Sequence, residues 1–382
     1  MHYNDFKFSR KIGVGKKIGI LTWHYYSNFG SRLQAFALQT VLMDLGFEPI
    51  IINYQNKKFS RLNRRQRVKN IIKPILNKLL GNIKIFNGAF DFCDYIFEKD
   101  FLNQTRLINS KEELPKVAKE LHAIVYGADQ IWAPNVFNDI YMGAGTNVKK
   151  ISYAASIGLP TISTELIEKY EFLLKKFYKI SVREETGQKL LKELCGIDSS
   201  VVLDPTLLIR RDRYESIERK PSRCMDDEFV FCYFLNENNN YYENVIRILG
   251  NHNFNVYGVS LNKKDESWIK NLKEIGPREF IWFIDHAKYV FTDSYHGTIF
   301  SMIFHKDFYT FERFEKNDPI NQNSRIYQLD KWFDIKDRII GTGTFVGKKA
   351  AMNYNVFENR INVYREKSLA FLKEALREDV KV

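Results

Sequence analysis

Short apolar runs recur along the chain, each ending at a polar turn and followed by a longer segment with helical spacing. The first run, 17–23, reads KIGILTW. A polar turn from His24 to Gly30 follows, and then a helical segment from 31 to about 45. Its apolar positions Leu33, Phe36, Ala37, Leu38, Val41, Leu42 and Leu45 cover much of the surface, so the spacing predicts a largely buried helix. Gly30 supplies the turn and Ser31 a cap. A second run at 49–53 completes a β-α-β unit, the building block of a parallel sheet.

The alternation continues. Strands are expected at 122–126, 150–154, 178–182 and 200–203, with helices at 86–99, 111–120, 164–176 and 184–194. From 204 to 227 the chain turns charged and carries Pro205 and Pro221, which reads as a linker. The pattern then restarts: strands at 229–235, 255–259, 289–292 and 307–311, helices at 241–250, 266–275, 277–286 and 296–304. A helical tail follows from 355 to about 377. The reading is α/β with two Rossmann-like domains: 1–208, 209–345, and a tail 346–382 that packs back on the first domain. Two such domains in series leave a cleft between two sets of strand ends, where ligands commonly bind.

Composition adds bounds. The 382 residues are 45% hydrophobic and 15% aromatic, ample for packed cores. Residues 1–17 contain no apolar signal region, and no run approaches the roughly 18 apolar residues that span a bilayer. Cys93, Cys195, Cys224 and Cys232 form no CxxC pair, which points to a reduced, cytoplasmic protein without a structural metal. The net charge of +12 is uneven: ten basic residues lie between Lys57 and Lys84, and no acid occurs between Glu48 and Asp91. Apolar residues are interleaved with them. Such a stretch suits an anionic membrane surface or a solvated insertion; nucleic acid is not expected, since no binding motif accompanies it.

Several strand ends carry candidate chemistry. The junction Thr292-Asp293-Ser294-Tyr295-His296-Gly297 places a histidine where a strand gives way to a helix. That is a ligand position in open α/β sheets, and also a place for a satisfied turn histidine. His24 and Asn28 can contact a polar ligand or cap a turn. Asp129 can accept from a hydroxyl and Trp132 can stack on a sugar, or they are a loop acid and a core indole. Arg183 ends an apolar run and must pair, either with Glu184 or Glu185 or with an anion in the cleft. Arg325, at a helix start, is a second anion clamp or a structural ion pair. No dinucleotide fingerprint, Walker loop, zinc motif or nucleophile elbow is present.

Taken in order, these motifs resemble the polysaccharide pyruvyl transferase family. The match runs through Ile18-Gly19-Ile20-Leu21-Thr22, Asn28-Phe29-Gly30-Ser31, Gly127-Ala128-Asp129-Gln130-Ile131-Trp132 and Ser152-Tyr153-Ala154-Ala155-Ser156. It continues with Ser181-Val182-Arg183-Glu184, Leu203-Asp204-Pro205-Thr206, Asp293-Ser294-Tyr295-His296-Gly297 and Ser324-Arg325-Ile326. The resemblance implies a fold similar to GT-B glycosyltransferases. It implies transfer of pyruvate from phosphoenolpyruvate to a sugar of a cell-surface polysaccharide or lipid-linked precursor, without a cofactor. His296 maps to the family's catalytic histidine. Arg183, Arg325, Ser294 and Gly297 would hold the donor; Asp129, Trp132, His24 and Asn28 would face the acceptor. Where the family carries Arg-x-His, this chain has Ser294-Tyr295-His296, so either Arg325 replaces the lost cation or the donor differs. A lipid-linked acceptor would also give the basic stretch 57–84 a role on the inner membrane face. The alternatives are a nucleotide-sugar glycosyltransferase of the same fold and a non-catalytic glycan-binding protein.

Overall fold

The short apolar runs build two parallel sheets. A computed structural model describes residues 15–25, 28–55, 89–221, 228–236, 239–250, 254–260, 268–272, 275–342 and 352–377. The basic stretch 57–84 lies outside the described residues. So do parts of the expected linker and tail, at 222–227, 346–351 and 378–382.

The first sheet contains β1 (Lys17–Leu21), β2 (Glu48–Ile51), β3 (Ala123–Tyr126) and β4 (Lys149–Ser152), in the order β2-β1-β3-β4. β5 (Ser181–Val182) and β6 (Ser200–Val201) pair with each other, and bridges from Ile151 to Lys179 and Ala155 to Val182 attach them beside β4. The second sheet contains β7 (Phe229–Phe234), β8 (Asn255–Ser260), β9 (Ile269–Asn271), β10 (Tyr289–Thr292), β11 (Asp307–Phe311) and β12 (Ile339–Ile340). Its order is β12-β11-β10-β7-β8-β9. Every pairing between these strands is parallel. The strand order reverses between β1 and β3 in one sheet and between β7 and β10 in the other. Such reversals open a crevice at the carboxyl ends of the strands. The architecture is therefore two Rossmann-like domains facing a cleft, with a C-terminal helix.

The helix Phe29–Asp44 sits between the two halves, which explains its all-round apolar surface. It is buried from Phe29 to Leu42. The Phe29 ring stacks on Tyr233 of β7 at 5.7 Å and lies 5.3 Å from Phe280. Leu33, Phe231 and Phe371 belong to one buried cluster that runs through both halves. The last helix, Tyr354–Leu376, touches both. Phe357 packs on Phe333 at 5.1 Å near its start, while Phe371 meets Tyr153 at 6.4 Å and Glu374 pairs with Lys179 near its end.

Two expected helices differ. In place of a helix at 266–275 there is β9, which pairs with β8 through Val256 and Ile269. Gly258 admits it: a Cβ there would lie 2.6 Å from the Ile269 side chain. The 111–120 segment is a 3-10 turn, Lys111–Glu113, and a short helix, Leu114–Ala118. Among the described residues no helix is long and apolar enough to cross a membrane.

Candidate active site at the facing strand ends

The carboxyl ends of both sheets converge on His296. β10 ends at Thr292, whose hydroxyl accepts from Ser294 N and donates to the Tyr233 carbonyl. Ser294 Oγ accepts from Gly297 N at 3.3 Å and so caps the helix Tyr295–Ile303. Gly297 lets that helix lie on the strand: a Cβ there would fall 2.4 Å from Thr292 Oγ1. Ser294 and Gly297, expected as donor ligands, thus shape the turn that presents Tyr295 and His296.

The other half supplies the partners. His296 Nε2 lies 3.6 Å from Asp204 Oδ2, and its Nδ1 edge faces Gly30 at the start of the central helix. A Cβ on Gly30 would fall 2.2 Å from His296 Nδ1, so only glycine leaves room for the ring. Asp204 Oδ2 also accepts from Arg183 Nη1 at 2.8 Å, and Asp204 Oδ1 accepts from the amide and hydroxyl of Thr206. Burial works to raise the Asp204 pKa, but His296 and Arg183 outweigh it and hold the carboxyl well below the usual range. The expected linker therefore begins with a fully buried carboxylate beside the candidate catalytic histidine. Sequence reasoning missed this role because its partners are distant in the chain. The one local signal was an Asp-Pro-Thr turn after an apolar strand.

Arg183 is completely buried. Its guanidinium carbon lies 4.3 Å from the Tyr295 ring centroid, and Arg325 approaches the same ring at 5.8 Å. Arg325 is 9% exposed, and among the described residues it hydrogen-bonds only to Gln322, through its carbonyl and its side-chain oxygen. Among the described residues no carboxylate pairs with it. Burial, with the positive charges of Arg183 and Arg313, pushes its pKa down to about 9. Arg313, not singled out from the sequence, lies 3.4 Å from Asp293. Asp293 itself accepts from the amides of Leu235 and Asn236, tying β10 to β7. Among the described residues Arg183 Nε and Nη2, Glu184 Oε2 and His296 Nε2 are buried without hydrogen-bond partners. Orphaned buried polar atoms are rare, and their concentration here marks a place built for a polar ligand.

The acceptor-side candidates separate. Asp129, 8% exposed, accepts from the Ser31 hydroxyl at 2.6 Å and holds a left-handed φ of 57°. Its neighbour Gln130 donates to Gln322, the residue that carries Arg325, and so links the halves. Trp132 is a core residue rather than a sugar platform: it is 1% exposed, packs on Phe177, and its indole N–H donates to the Tyr141 carbonyl. Asn28 Oδ1 accepts from Gly30 N as a helix cap. His24 is fully buried against the Thr22 carbonyl. Gly187 approaches Glu184, whose Oε1 accepts from Ser156 and from the Ile157 and Gly158 amides. Arg183 is therefore left to Asp204 rather than to Glu184, 3.9 Å away.

Comparison with the curated proteins gave no match. Among solved structures the chain is similar to a glycosyltransferase from Rickettsia africae ESF-5, with 14% identity, 96% of this chain and 100% of that chain covered, and a TM-score of 0.50. It is also similar to a UDP-GlcNAc 2-epimerase from Methanocaldococcus jannaschii, with 14% identity, 92% of each chain covered and a TM-score of 0.47. At these identities the first likeness speaks to fold alone, and it agrees with the two facing sheets. A family model described as polysaccharide pyruvyl transferase matches residues 28–313, a span that holds the central helix, Asp129, Arg183, Asp204, His296 and Arg313. The chain belongs to the polysaccharide pyruvyl transferase family.

Proposed function

We propose that this protein transfers the pyruvyl group of phosphoenolpyruvate to a sugar as a cyclic ketal, releasing phosphate. The observation that carries the reading is Arg325: a buried guanidinium with no carboxylate partner among the described residues, beside the partly orphaned Arg183. A carboxylate and a phosphate are the two anions of this donor, and arginine forks suit both.

In this reading 1–208 supplies the acceptor side and 209–345 the donor side, with Arg183 reaching across. The reaction asks for a proton at the donor's methylene carbon. That proton makes a methyl group and leaves an oxocarbenium-like centre. One sugar hydroxyl attacks the centre, phosphate departs with the C–O bonding pair, and a second hydroxyl closes the ring. Of the two hydroxyl protons released, one replaces the proton spent on carbon and the other leaves with phosphate. His296 is the acid, and Asp204, fixed by Arg183 and Thr206, orients the imidazole. Asp129 is the acceptor-side carboxylate. His296 and Arg183 are nearly or wholly buried, so entry of the donor requires the two halves to part. The acceptor is a cell-surface glycan or its lipid-linked precursor, met by a peripheral protein on the inner membrane face.

Thermal-shift titration tests the donor. Phosphoenolpyruvate is expected to raise the melting temperature of the wild type and not of Arg325→Gln, and phosphate release is expected with a glycan acceptor. Stabilisation by UDP-sugars with no response to phosphoenolpyruvate would replace this reading with glycosyl transfer.

A further inference from the structure

On β4 of the first sheet, Lys150 occupies an apolar strand position. It lies on β4 opposite Ile124, and only 7% of it is exposed. Among the described residues its ammonium has no hydrogen-bond or ion-pair partner. It lines a cavity of about 420 Å³ together with Lys111, Lys119 and Lys176, and no carboxylate lines that cavity. Lys111 is held by Asp139 at 2.9 Å, outside the lining, and Lys176 lies over the ring of Phe172, which is 63% exposed. The remaining wall is a loop in which Gly143 and Gly145 take left-handed φ values of 86° and 89°. Gly143 clears the lysine stem: a Cβ there would lie 2.9 Å from Lys150 Cδ. Burial and the neighbouring Lys176 hold the Lys150 ammonium below its ordinary range, as expected of a cation lacking a counter-charge.

The Lys150 stem is buried while its ammonium opens into the cavity, where a counter-charge would be expected to pair with it. Nothing in this wall does. We infer that this cavity is a second anion site, built for a phosphate or diphosphate group. Lysine ammoniums act as point charges that gather phosphate oxygens without demanding planar geometry. The exposed Phe172 and the apolar floor accommodate the carbon part that such a group carries. The lining lies at the amino end of β4 and the loop that leads into that strand, whereas the cleft forms at the carboxyl ends of the strands. The source of the phosphate is a soluble phosphorylated metabolite or a lipid headgroup.

Isothermal titration with sodium pyrophosphate on the full chain tests it, using wild type, Lys150→Met and Arg325→Gln. Loss of a charge-assisted bond predicts that Lys150→Met weakens one pyrophosphate site about 10- to 100-fold, while Arg325→Gln leaves that site intact. Should Lys150→Met fail to fold, the double variant Lys119→Ser/Lys176→Ser reads the same site, with at least about tenfold loss expected. Co-sedimentation with phosphatidylcholine vesicles containing phosphatidic acid separates the sources. Weaker sedimentation of the lysine variants than of wild type assigns a lipid phosphate; unchanged sedimentation with lost pyrophosphate binding assigns a soluble one. No pyrophosphate binding by wild type, or binding unchanged in the lysine variants, overturns the inference. The cleft reading is tested separately, with phosphoenolpyruvate and Arg325.

Discussion

Two histidines follow two strand–turn–helix junctions of the same design. After β1, Asn28 caps the central helix; after β10, Ser294 caps its counterpart. His24 belongs to the first junction and His296 to the second, and both are buried. Their surroundings differ. His24 Nδ1 is 3.2 Å from the Thr22 carbonyl, which can only accept, so that nitrogen carries the proton and the ring is a structural plug. Its nearby cation, Arg32, is already paired with Asp94 and Glu98. His296 instead meets Asp204 and Arg183 from the opposite half, beside the carboxylate-free Arg325. A favourable backbone position is thus common to both. What distinguishes His296, the proposed acid, is the charge delivered from the opposite half.

The largest expected effect breaks this comparison or keeps it. His296→Gln should lower kcat by about 10²- to 10⁴-fold, the usual worth of a general acid. His24→Gln should leave kcat within about threefold, because it removes no transition-state contact. Equal losses in a phosphate-release assay would end the distinction. Next, Arg325→Gln should raise the KM for phosphoenolpyruvate about 10- to 150-fold, the value of a hydrogen bond to a charged group. The same variant should melt no lower than wild type, since it removes a buried charge without a carboxylate partner. Gly30→Ala drives a methyl group into His296; a loss of about tenfold or more in kcat and about 1–3 kcal/mol in stability is expected.

The smallest effect is a pH dependence. Burial lowers the His24 pKa, so the unfolded chain takes up a proton below about 6.5 that the folded chain refuses. Stability should therefore fall from pH 7 to pH 5, and His24→Gln should flatten that slope by at most about 2 kcal/mol. Asp204 acts elsewhere. Its lowered pKa gives stability that is lost only as the pH drops below the ordinary carboxylate range. Denaturant midpoints measured at pH 5, 6 and 7 decide it.

Much of this frame was legible because parallel sheets leave a strong local signal. The helix Pro277–His286 and strands Tyr289–Thr292 and Asp307–Phe311 fall where the apolar pattern places them. His296 and Arg183 could be singled out because polar residues stop apolar runs there, and Arg325 because it stands at a helix start. Asp204 looked like the start of a charged linker, since its reasons for burial, Arg183 and His296, lie in other elements. Trp132 misled in the other direction: a tryptophan after a strand end reads equally as a platform or as core, and Tyr141 and Phe177 decide for core. Arg313 was hidden in a charged run, where nothing local separates a solvated arginine from one beside Asp293.

The last helix fastens both halves, with Leu203 N donating to Ser368 Oγ one residue before Asp204. This bears on how the protein is made. A nascent chain that has already produced both sheets still lacks the brace beneath Asp204 until residue 376 has left the ribosome. Chains that stop before this helix should expose the apolar surface under Phe357 and Phe371 and depend on chaperones.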